Sequence, residues 1–398
     1  MLNLSIPENV RPLRDKVLNF IEERVYPLEN QLHAAEREER REVMSGLMQQ
    51  AKDEGLWALG HPKEIGGGGL PFMDYVFINE VVGRSDIATA ALGTHSLQDS
   101  IMLHRYASDK WREAYLKPLV EGTIFPSFGM TEPNVASSDP TQLQTTGELE
   151  GDEWVINGHK WFTSGADGAA YTTVMCRTEP DAPDHSAFSM IVVPTDTPGY
   201  NIIRDVKVMG EYGGHCEVMY ENMRVPAENL LGPRGEGFKI AQDRLGPGRI
   251  FHCMRWLGQA QRAFDLMCER ANSRVAFGKT LGEHQQIQKF IFDSAAEIQA
   301  SRLLTLHAAQ KIDQGDEARI EIGLIKVYGA SMLHNVIDRA IQVWGAKGVS
   351  EDTPLERMYR HARFARIYDG ADEVHVMTTA RRLLRFYRDG GTFDFGLR

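Results

Sequence analysis

The residues best placed to do chemistry lie near the C-terminal end, in RIYDGADEVH from Arg366 to His375. Asp369 stands there between an aromatic ring, Tyr368, and a glycine, Gly370, directly after a long run of helical period. Glycine takes a positive φ without steric cost, so the chain can turn sharply at Gly370 and aim the carboxylate into a cleft. A carboxylate held in a cleft can exchange a proton with a bound molecule. Asp372 and Glu373 follow, but only Asp369 sits at the junction with an apolar, aromatic stretch. The plainer alternative is a helix that stops at glycine with its acids in solvent.

The elements that must position this stretch change character twice along 398 residues. Leu13, Val17, Phe20, Ile21, Val25 and Leu28 share one face of a helix. A second helical stretch covers roughly 41–56, and two more cover roughly 72–92 and 94–121. The glycines at 66–69 predict a flexible loop and not a phosphate cradle, because no Gly-Lys-Ser/Thr follows and no apolar strand precedes. After Phe125 the pattern becomes short and β-branched: QLQTTGELE, EWVINGHKWF, AYTTVMCR, AFSMIVVP, YNIIRDV and HCEVMYENMRVP. Turn signals at Asn157-Gly158 and Pro198-Gly199 separate these segments and predict antiparallel strands. From Phe238 the helical period returns. Trp256, Ala260, Ala263, Phe264, Met267 and Cys268 make one apolar face, and Ile287, Phe290, Ile291, Ala295 and Ile298 a second. A third face runs from Gly329 to Trp344, a further helix over 354–367, and another begins after Glu373. The predicted fold is multidomain α+β: an N-terminal α-helical domain over 1–124, a middle antiparallel β domain over 125–236, and a C-terminal four-helix-bundle domain over 237–398.

Composition narrows the function. Charged residues make up 25% and apolar ones 42%, as in ordinary soluble globular proteins. A net charge of −11 argues against nucleic acid as a partner, which calls for a basic face. Acids interleave the basic cluster at 37–41, and that cluster, like 381–388, reads as a solvated face. No run of about 18 apolar residues is present, so no membrane span is expected. The opening MLNLSIPENV has neither a basic nor an apolar leader segment, which points to a cytoplasmic protein. Cys176, Cys216, Cys253 and Cys268 are too widely spaced for a zinc site or a disulfide framework and read as reduced, buried thiols; no metal is expected.

Four separated motifs carry a resemblance. FGMTEPNVASSDP spans 128–140, GHKWFTSGADGA 158–169 and RVAFGKTLGEHQQIQ 274–288; QVWGAKGVSEDTPLERMYR, 342–360, then leads to RIYDGADEVH. In this order and spacing they resemble the acyl-CoA dehydrogenases over essentially the whole chain. The resemblance is strongest to a branch with TEPxxASSD, RLGPGRI and a terminal D-G-x-D-E-V-H. In vertebrates that branch is fused to a kinase-like domain and linked to breakdown of 4-hydroxy acids, and no kinase-like region is expected here.

The resemblance implies FAD as cofactor, an acyl-CoA substrate and an electron-transfer flavoprotein as acceptor. Phe128, Met130 and Thr131 match cofactor-binding positions at the flavin's hydrogen-bonding edge, and Ser137 matches a further cofactor-binding position. Trp161 would cover the ring, Thr163 would reach toward N5, and Tyr368 matches a further cofactor position. Arg274, whose forked donors suit a pyrophosphate, and Phe277 match positions that bind the pyrophosphate and pack on the cofactor. Gln285, Gln342 and Gly345 match positions that reach a cofactor held mainly by a neighbouring subunit, which implies a homotetramer. Ser138, Arg249 and Gly370 match substrate-binding positions. The acyl tail would run along the stretch from Tyr75 to Leu92, where Ala88, Ala90, Ala91 and nearby Gly93 leave room.

Asp369 matches the family's catalytic glutamate. The implied reaction removes a proton from the carbon α to the thioester and a hydride from the β carbon, giving a trans-2-enoyl-CoA in fatty-acid β-oxidation. Aspartate shortens the arm by one methylene, roughly 1.5 Å, and a misplacement of about 1 Å can cost roughly 100-fold in rate. The resembled branch carries aspartate here too, which favours a site built around the shorter arm. The family's alternative position for the base falls at Gly248, which offers no carboxylate. Ala346 and Ala371 also depart from the family pattern, bearing on adenosine contacts. Two other readings stay open: a flavin oxidase or monooxygenase of the same fold, and a non-catalytic flavoprotein that binds DNA or protein.

Overall fold

The computed structural model describes residues 5–394, with residues 245–247 described by backbone alone. Met1–Leu4 of the opening stretch, and the side chains of Leu245 and Pro247 in RLGPGRI, lie outside the described residues.

The chain opens with α1 (Arg11–Phe20), which continues through a π turn at Ile21–Val25 and a 3-10 turn at Tyr26–Leu28. Val17, Phe20, Ile21 and Val25 are buried on the predicted face. The regular ladder ends where Pro27, lacking an N–H, enters it. Next come α2 (Glu29–Ala34), α3 (Arg37–Asp53), α4 (Phe72–Val82), α5 (Asp86–Ala91), α6 (Leu97–Tyr106), α7 (Asp109–Trp111) and α8 (Lys117–Glu121). The two long helical stretches expected over 72–92 and 94–121 are therefore interrupted. Ser85 is extended and breaks the first, while Ser108 breaks the second, its hydroxyl accepting from the Trp111 N–H as a helix cap.

A sheet of eight strands follows: β1 (Pro126–Gly129), β2 (Thr146–Glu150), β3 (Glu153–Ser164), β4 (Tyr171–Arg177), β5 (Phe188–Pro194), β6 (Tyr200–Val208), β7 (Glu211–Pro226) and β8 (Leu230–Leu231). The order is β6-β7-β3-β2-β4-β5-β8, with β1 added to β4. Pairing is antiparallel except where β4 meets β2 and β1 in parallel. β1 escaped the strand pattern because Pro-Ser-Phe-Gly shows no alternation. Trp154, Ile156, Val174, Cys176, Ile191 and Val218 are among the residues that build the core.

The C-terminal part contains α9 (Gly237–Ser273), a hairpin of β9 (Val275–Ala276) and β10 (Lys279–Thr280), α10 (Gln285–Asp313), α11 (Arg319–Trp344), α12 (Leu355–Phe364) and α13 (Asp372–Arg388). α11 packs on α10, α12 and α13. The α, β, α order read from the sequence is the order of the fold. No helix among the described residues is long and apolar enough to cross a membrane. Cys176, Cys216 and Cys253 are buried free thiols, and Cys268 is half-buried.

The chain forms two compact units: Met1–Trp57 with Leu70–Leu92 and Gly246–Arg398, and Ala58–Gly69 with Gly93–Leu245. In the first, α4 and α9 cross closely. A Cβ added at Gly83 would lie 2.2 Å from the Arg255 Cα, and one at Gly258 would lie 2.0 Å from the Glu80 carbonyl oxygen. The Asn79 amide donates to the Phe251 carbonyl at 2.8 Å, and the Phe251 ring meets those of Phe72 and Tyr75. In the second unit the glycine run is not the free loop expected. Gly68 N–H bonds the Ala58 carbonyl and Gly69 N–H the His61 carbonyl, closing the run over a fully buried His61.

Candidate active site

Asp369 sits on the short connection between α12 and α13. Its φ is +54° and that of Gly370 is +101°, so two consecutive residues make the turn that the sequence assigned to glycine alone. Aspartate tolerates this region better than most side chains. The connection is clamped at its base. Asp372 N–H bonds the Arg366 carbonyl at 3.1 Å, and the Asp372 carboxylate takes Arg366 Nε and Lys326 Nζ, each at 2.9 Å. Lys326 and Asp372 are buried, and burial pushes the Lys326 ammonium below its usual range against the pull of Asp372.

Two side chains hold the Asp369 backbone carbonyl: Arg249 Nε donates at 3.3 Å and His375 Nε2 at 3.1 Å. The carboxylate itself meets an imidazole, with Asp369 Oδ2 lying 2.9 Å from His252 Nε2. His252 Nδ1 lies 2.9 Å from a terminal nitrogen of Arg255. On the other side of the turn residue, Tyr368 accepts a hydrogen bond from Trp256 Nε1 at 2.7 Å, and its ring centroid is 5.3 Å from that of His252. Burial pushes the Tyr368 phenol well above its usual range. Arg249, His252 and Arg255 follow one another along one side of α9 at spacings of three residues. The carboxylate therefore stands among polar donors as well as apolar rings.

Arg249 and Gly370, expected at the substrate, and Tyr368, expected at the cofactor, thus gather around Asp369. Ala88 and Ala91 are buried in the core and Ala90 is half-buried.

The second cluster lies in the β unit, where the loop leaving β1 runs beside β3. Lys160 Nζ donates to the Met130 carbonyl at 2.9 Å and to Glu132 Oε1 at 2.8 Å, while Trp161 N–H bonds the Thr131 carbonyl at 3.0 Å. Between Lys160 and Thr163 the register of β3 on β7 shifts, and Phe162 takes a φ of +50°. Such a bulge re-aims the side chains beside it. Trp161 Nε1 and Thr163 Oγ1 are buried without a hydrogen-bond partner among the described residues. Buried polar atoms are almost always partnered. Two orphans on this bulge fit a bound group rich in hydrogen-bonding atoms, as a flavin is. Phe128 lies in β1, just before that loop, its ring 4.6 Å from the Arg244 guanidinium. The Ser137 hydroxyl bonds the Glu132 backbone, and Ser138 is exposed.

The remaining expected residues lie elsewhere. Arg274 and Phe277 are on the β9–β10 hairpin, Gln285 begins α10, and Gln342 and Gly345 end α11. Arg270 spans from the end of α9 to the Trp344 ring at 5.0 Å, drawing the hairpin's base toward the end of α11. All five are exposed, Phe277 at 97%.

Sequence reasoning missed His252, Arg255, Lys160 and Glu132. The first two had a signal: His252 stands one helical turn beyond Gly248, already marked as the alternative position for a base. Glu132 and Lys160 lie within the quoted motifs but show their link only in space.

Three family descriptions match in chain order: the N-terminal domain of acyl-CoA dehydrogenase over residues 7–123, the middle domain over 127–223 and the C-terminal domain over 235–384. A Mycobacterium tuberculosis protein named as a probable acyl-CoA dehydrogenase, FadE2, is 47% identical over 88% of this chain and 87% of its own length. Acyl-CoA dehydrogenase family member 10 of Mus musculus is 42% identical over 94% of this chain, which spans only 37% of that longer protein. A solved structure from Mycobacterium abscessus, also bearing the acyl-CoA dehydrogenase name, superposes with a TM-score of 0.90 at 37% identity, covering 96% of this chain and 100% of that one. The three matched domains and these relatives, together with the presented carboxylate and the orphaned donors, establish that the chain belongs to the acyl-CoA dehydrogenase family.

Proposed function

We propose that this FAD-dependent oxidoreductase converts an acyl-CoA thioester to its trans-2-enoyl-CoA, with Asp369 as the base. The observation that carries the reading is the Asp369 turn: a carboxylate presented by two consecutive positive-φ residues and gripped through its own carbonyl by Arg249 and His375. A base must be held within reach of the proton it takes, and a turn fixed in this way supports that role. Asp369 takes the α proton, the α–β double bond forms, and the β hydrogen leaves with its electron pair. Bound FAD supplies the acceptor for that hydride.

The chain's own residues divide the remaining work. Trp161 and Thr163 offer unpartnered donors to the cofactor, with Phe128, Met130 and Thr131 beside them and Ser137 shaping the loop. Arg274 would hold the pyrophosphate and Phe277 would pack on the cofactor, while Gln285, Gln342 and Gly345 would reach the cofactor held mainly by a neighbouring subunit in a homotetramer. Phe277, at 97% exposed, and the nearby exposed Val275 leave apolar surface on the hairpin for a cofactor or a second subunit to cover, which supports that arrangement. Ser138, Arg249 and Gly370 would contact the CoA substrate. Electrons would leave to an electron-transfer flavoprotein, in fatty-acid breakdown in the cytoplasm.

The test is anaerobic titration of the yellow protein with a panel of acyl-CoAs of differing length and 4-substitution. Bleaching of the oxidised flavin band by one class, with formation of the enoyl product, is the expected result. Peroxide formed at the rate of substrate loss in air would favour an oxidase instead. A yellow protein that no thioester bleaches would overturn the dehydrogenase reading.

A further inference from the structure

The imidazole beside Asp369 has its protonation dictated by its other neighbour. A guanidinium carries donors and no acceptor, so the Arg255 nitrogen 2.9 Å from His252 Nδ1 must donate to it. Nδ1 therefore presents its lone pair, and the ring proton sits on Nε2, facing Asp369 Oδ2 at 2.9 Å. A doubly protonated ring would set N–H against N–H and cation against cation at Nδ1. His252 is thus a neutral donor to the carboxylate and not the positive half of an ion pair. The framework around it is stiff. The ring lies 5.3 Å from Tyr368 and 6.3 Å from Trp256 between centroids, and the Arg255 backbone is pressed against Gly83.

We propose that His252, fixed as its Nε2–H tautomer by Arg255, is a positioning residue for proton abstraction: it anchors one carboxylate oxygen of Asp369 so that the other is aimed at the substrate α-carbon. This rests on the reading of Asp369 as the base. The backbone of Asp369 is held by Arg249 and His375, and Lys326 is bound to Asp372. Those contacts fix the backbone of the residue, whereas the carboxylate plane turns about its own terminal bond, a torsion with broad preferences. A hydrogen bond to one oxygen restrains that torsion. The need is sharp with a short arm, because an aspartate has no further methylene with which to correct a misdirected oxygen.

The experiment compares His252→Phe, His252→Gln and Arg255→Leu with the wild-type holoenzyme. Anaerobic flavin reduction is followed with octanoyl-CoA and with whichever panel thioester bleaches the wild type fastest. His252→Phe keeps its FAD and binds thioester within about three-fold of wild type, while its reduction rate falls roughly 10–100-fold. His252→Gln, whose amide can donate to the same oxygen, recovers most of that loss. In ¹⁵N spectra of histidine-labelled protein, identified by difference from His252→Gln, the wild-type ring shows the neutral Nε2–H pattern, and Arg255→Leu shows a tautomer mixture. An unchanged rate in His252→Phe overturns the proposal, as does a glutamine variant no better than phenylalanine. A wild-type spectrum with the proton on Nδ1 overturns it without any substrate. Asp369→Asn separates the two levels: it should lose turnover by orders of magnitude while keeping FAD and CoA binding, and near-normal turnover there would overturn the base assignment itself.

Discussion

Lys160 Nζ lies 2.8 Å from Glu132 Oε1, and the two side chains are 0% and 4% exposed. Glu132 also accepts from the Gln144 and Thr145 backbone N–H groups and the Thr145 hydroxyl, and Lys160 donates to the Met130 carbonyl. Burial pushes the Glu132 carboxyl up, but Lys160 and these donors outweigh it and hold the group below its usual range. The pair thus ties the loop after β1 to β3, next to Trp161 and Thr163.

Breaking that pair from one side should be costly. Lys160→Met leaves a buried carboxylate without its cation, and such changes typically cost about 3–5 kcal/mol. The expected outcome is a clearly lower melting temperature together with faster loss of FAD. Adding Glu132→Gln to Lys160→Met should recover part of the loss, so that the double variant is more stable than the sum of the singles. Strict additivity in thermal unfolding would show that the two side chains do not act as a unit.

Much of this architecture was legible in the sequence, for identifiable reasons. Helical period located α1, α9, α10 and α11, although of the face expected on α10 only Ile298 is buried, with Ile287, Phe290 and Ile291 half-buried and Ala295 exposed. Alternation found six of the strands. β1 was not found, since its four residues carry no alternation, and its parallel place beside β4 is decided by a partner more than 40 residues away. The helical breaks at Ser85 and Ser108 depend on local caps that compete with a strong apolar period. Asp369 announced itself through Gly370, but its own positive φ did not. His252 was invisible as a partner because 117 residues separate it from Asp369, and only the packing of α9 closes that distance.

His61 gives the β unit a pH dependence. Burial lowers its pKa from 6.5 to about 4, with a smaller opposing effect from the Ala58 backbone. A histidine kept neutral in the fold contributes stability that is fully present above about pH 6.5. Between pH 6.5 and 4 the unfolded chain takes up a proton the folded one refuses, so stability falls as pH falls. The shift of about 2.5 units corresponds to roughly 3 kcal/mol at most. Urea midpoints measured from pH 7.5 to 4 should decline over that window, and His61→Gln should flatten the decline. An identical slope in the variant would assign the effect to other groups.

Gly370→Ala tests the turn that presents Asp369, the proposed base. A Cβ there would lie 2.7 Å from His375 Nε2, at a φ of +101°. Strain of about 1–3 kcal/mol is expected for such a conformation, relieved by moving Asp369. Flavin content should be unchanged while substrate-driven flavin reduction falls at least roughly ten-fold. Wild-type reduction by the alanine variant would show that the turn is not needed.

Arg274→Ala should weaken FAD retention, read as faster release of flavin fluorescence on dilution, by roughly ten-fold or more for a lost charged hydrogen bond. Arg274→Lys should restore only part of it, because an ammonium lacks the planar fork that matches two phosphate oxygens. Retention at wild-type strength in the alanine variant would remove Arg274 from the cofactor site.

Lys326 grips Asp372, the first residue of α13, and only Gly370 and Ala371 separate that residue from Asp369. The helix α13 and the Asp369 carboxylate are in this sense one lever, with Lys326 as its pivot. Trimming the chain within α13 would loosen the pivot before it touched any residue of the β unit. A protease nick there would leave a yellow, idle protein, and the ratio of colour to turnover would report the state of the C-terminal tail.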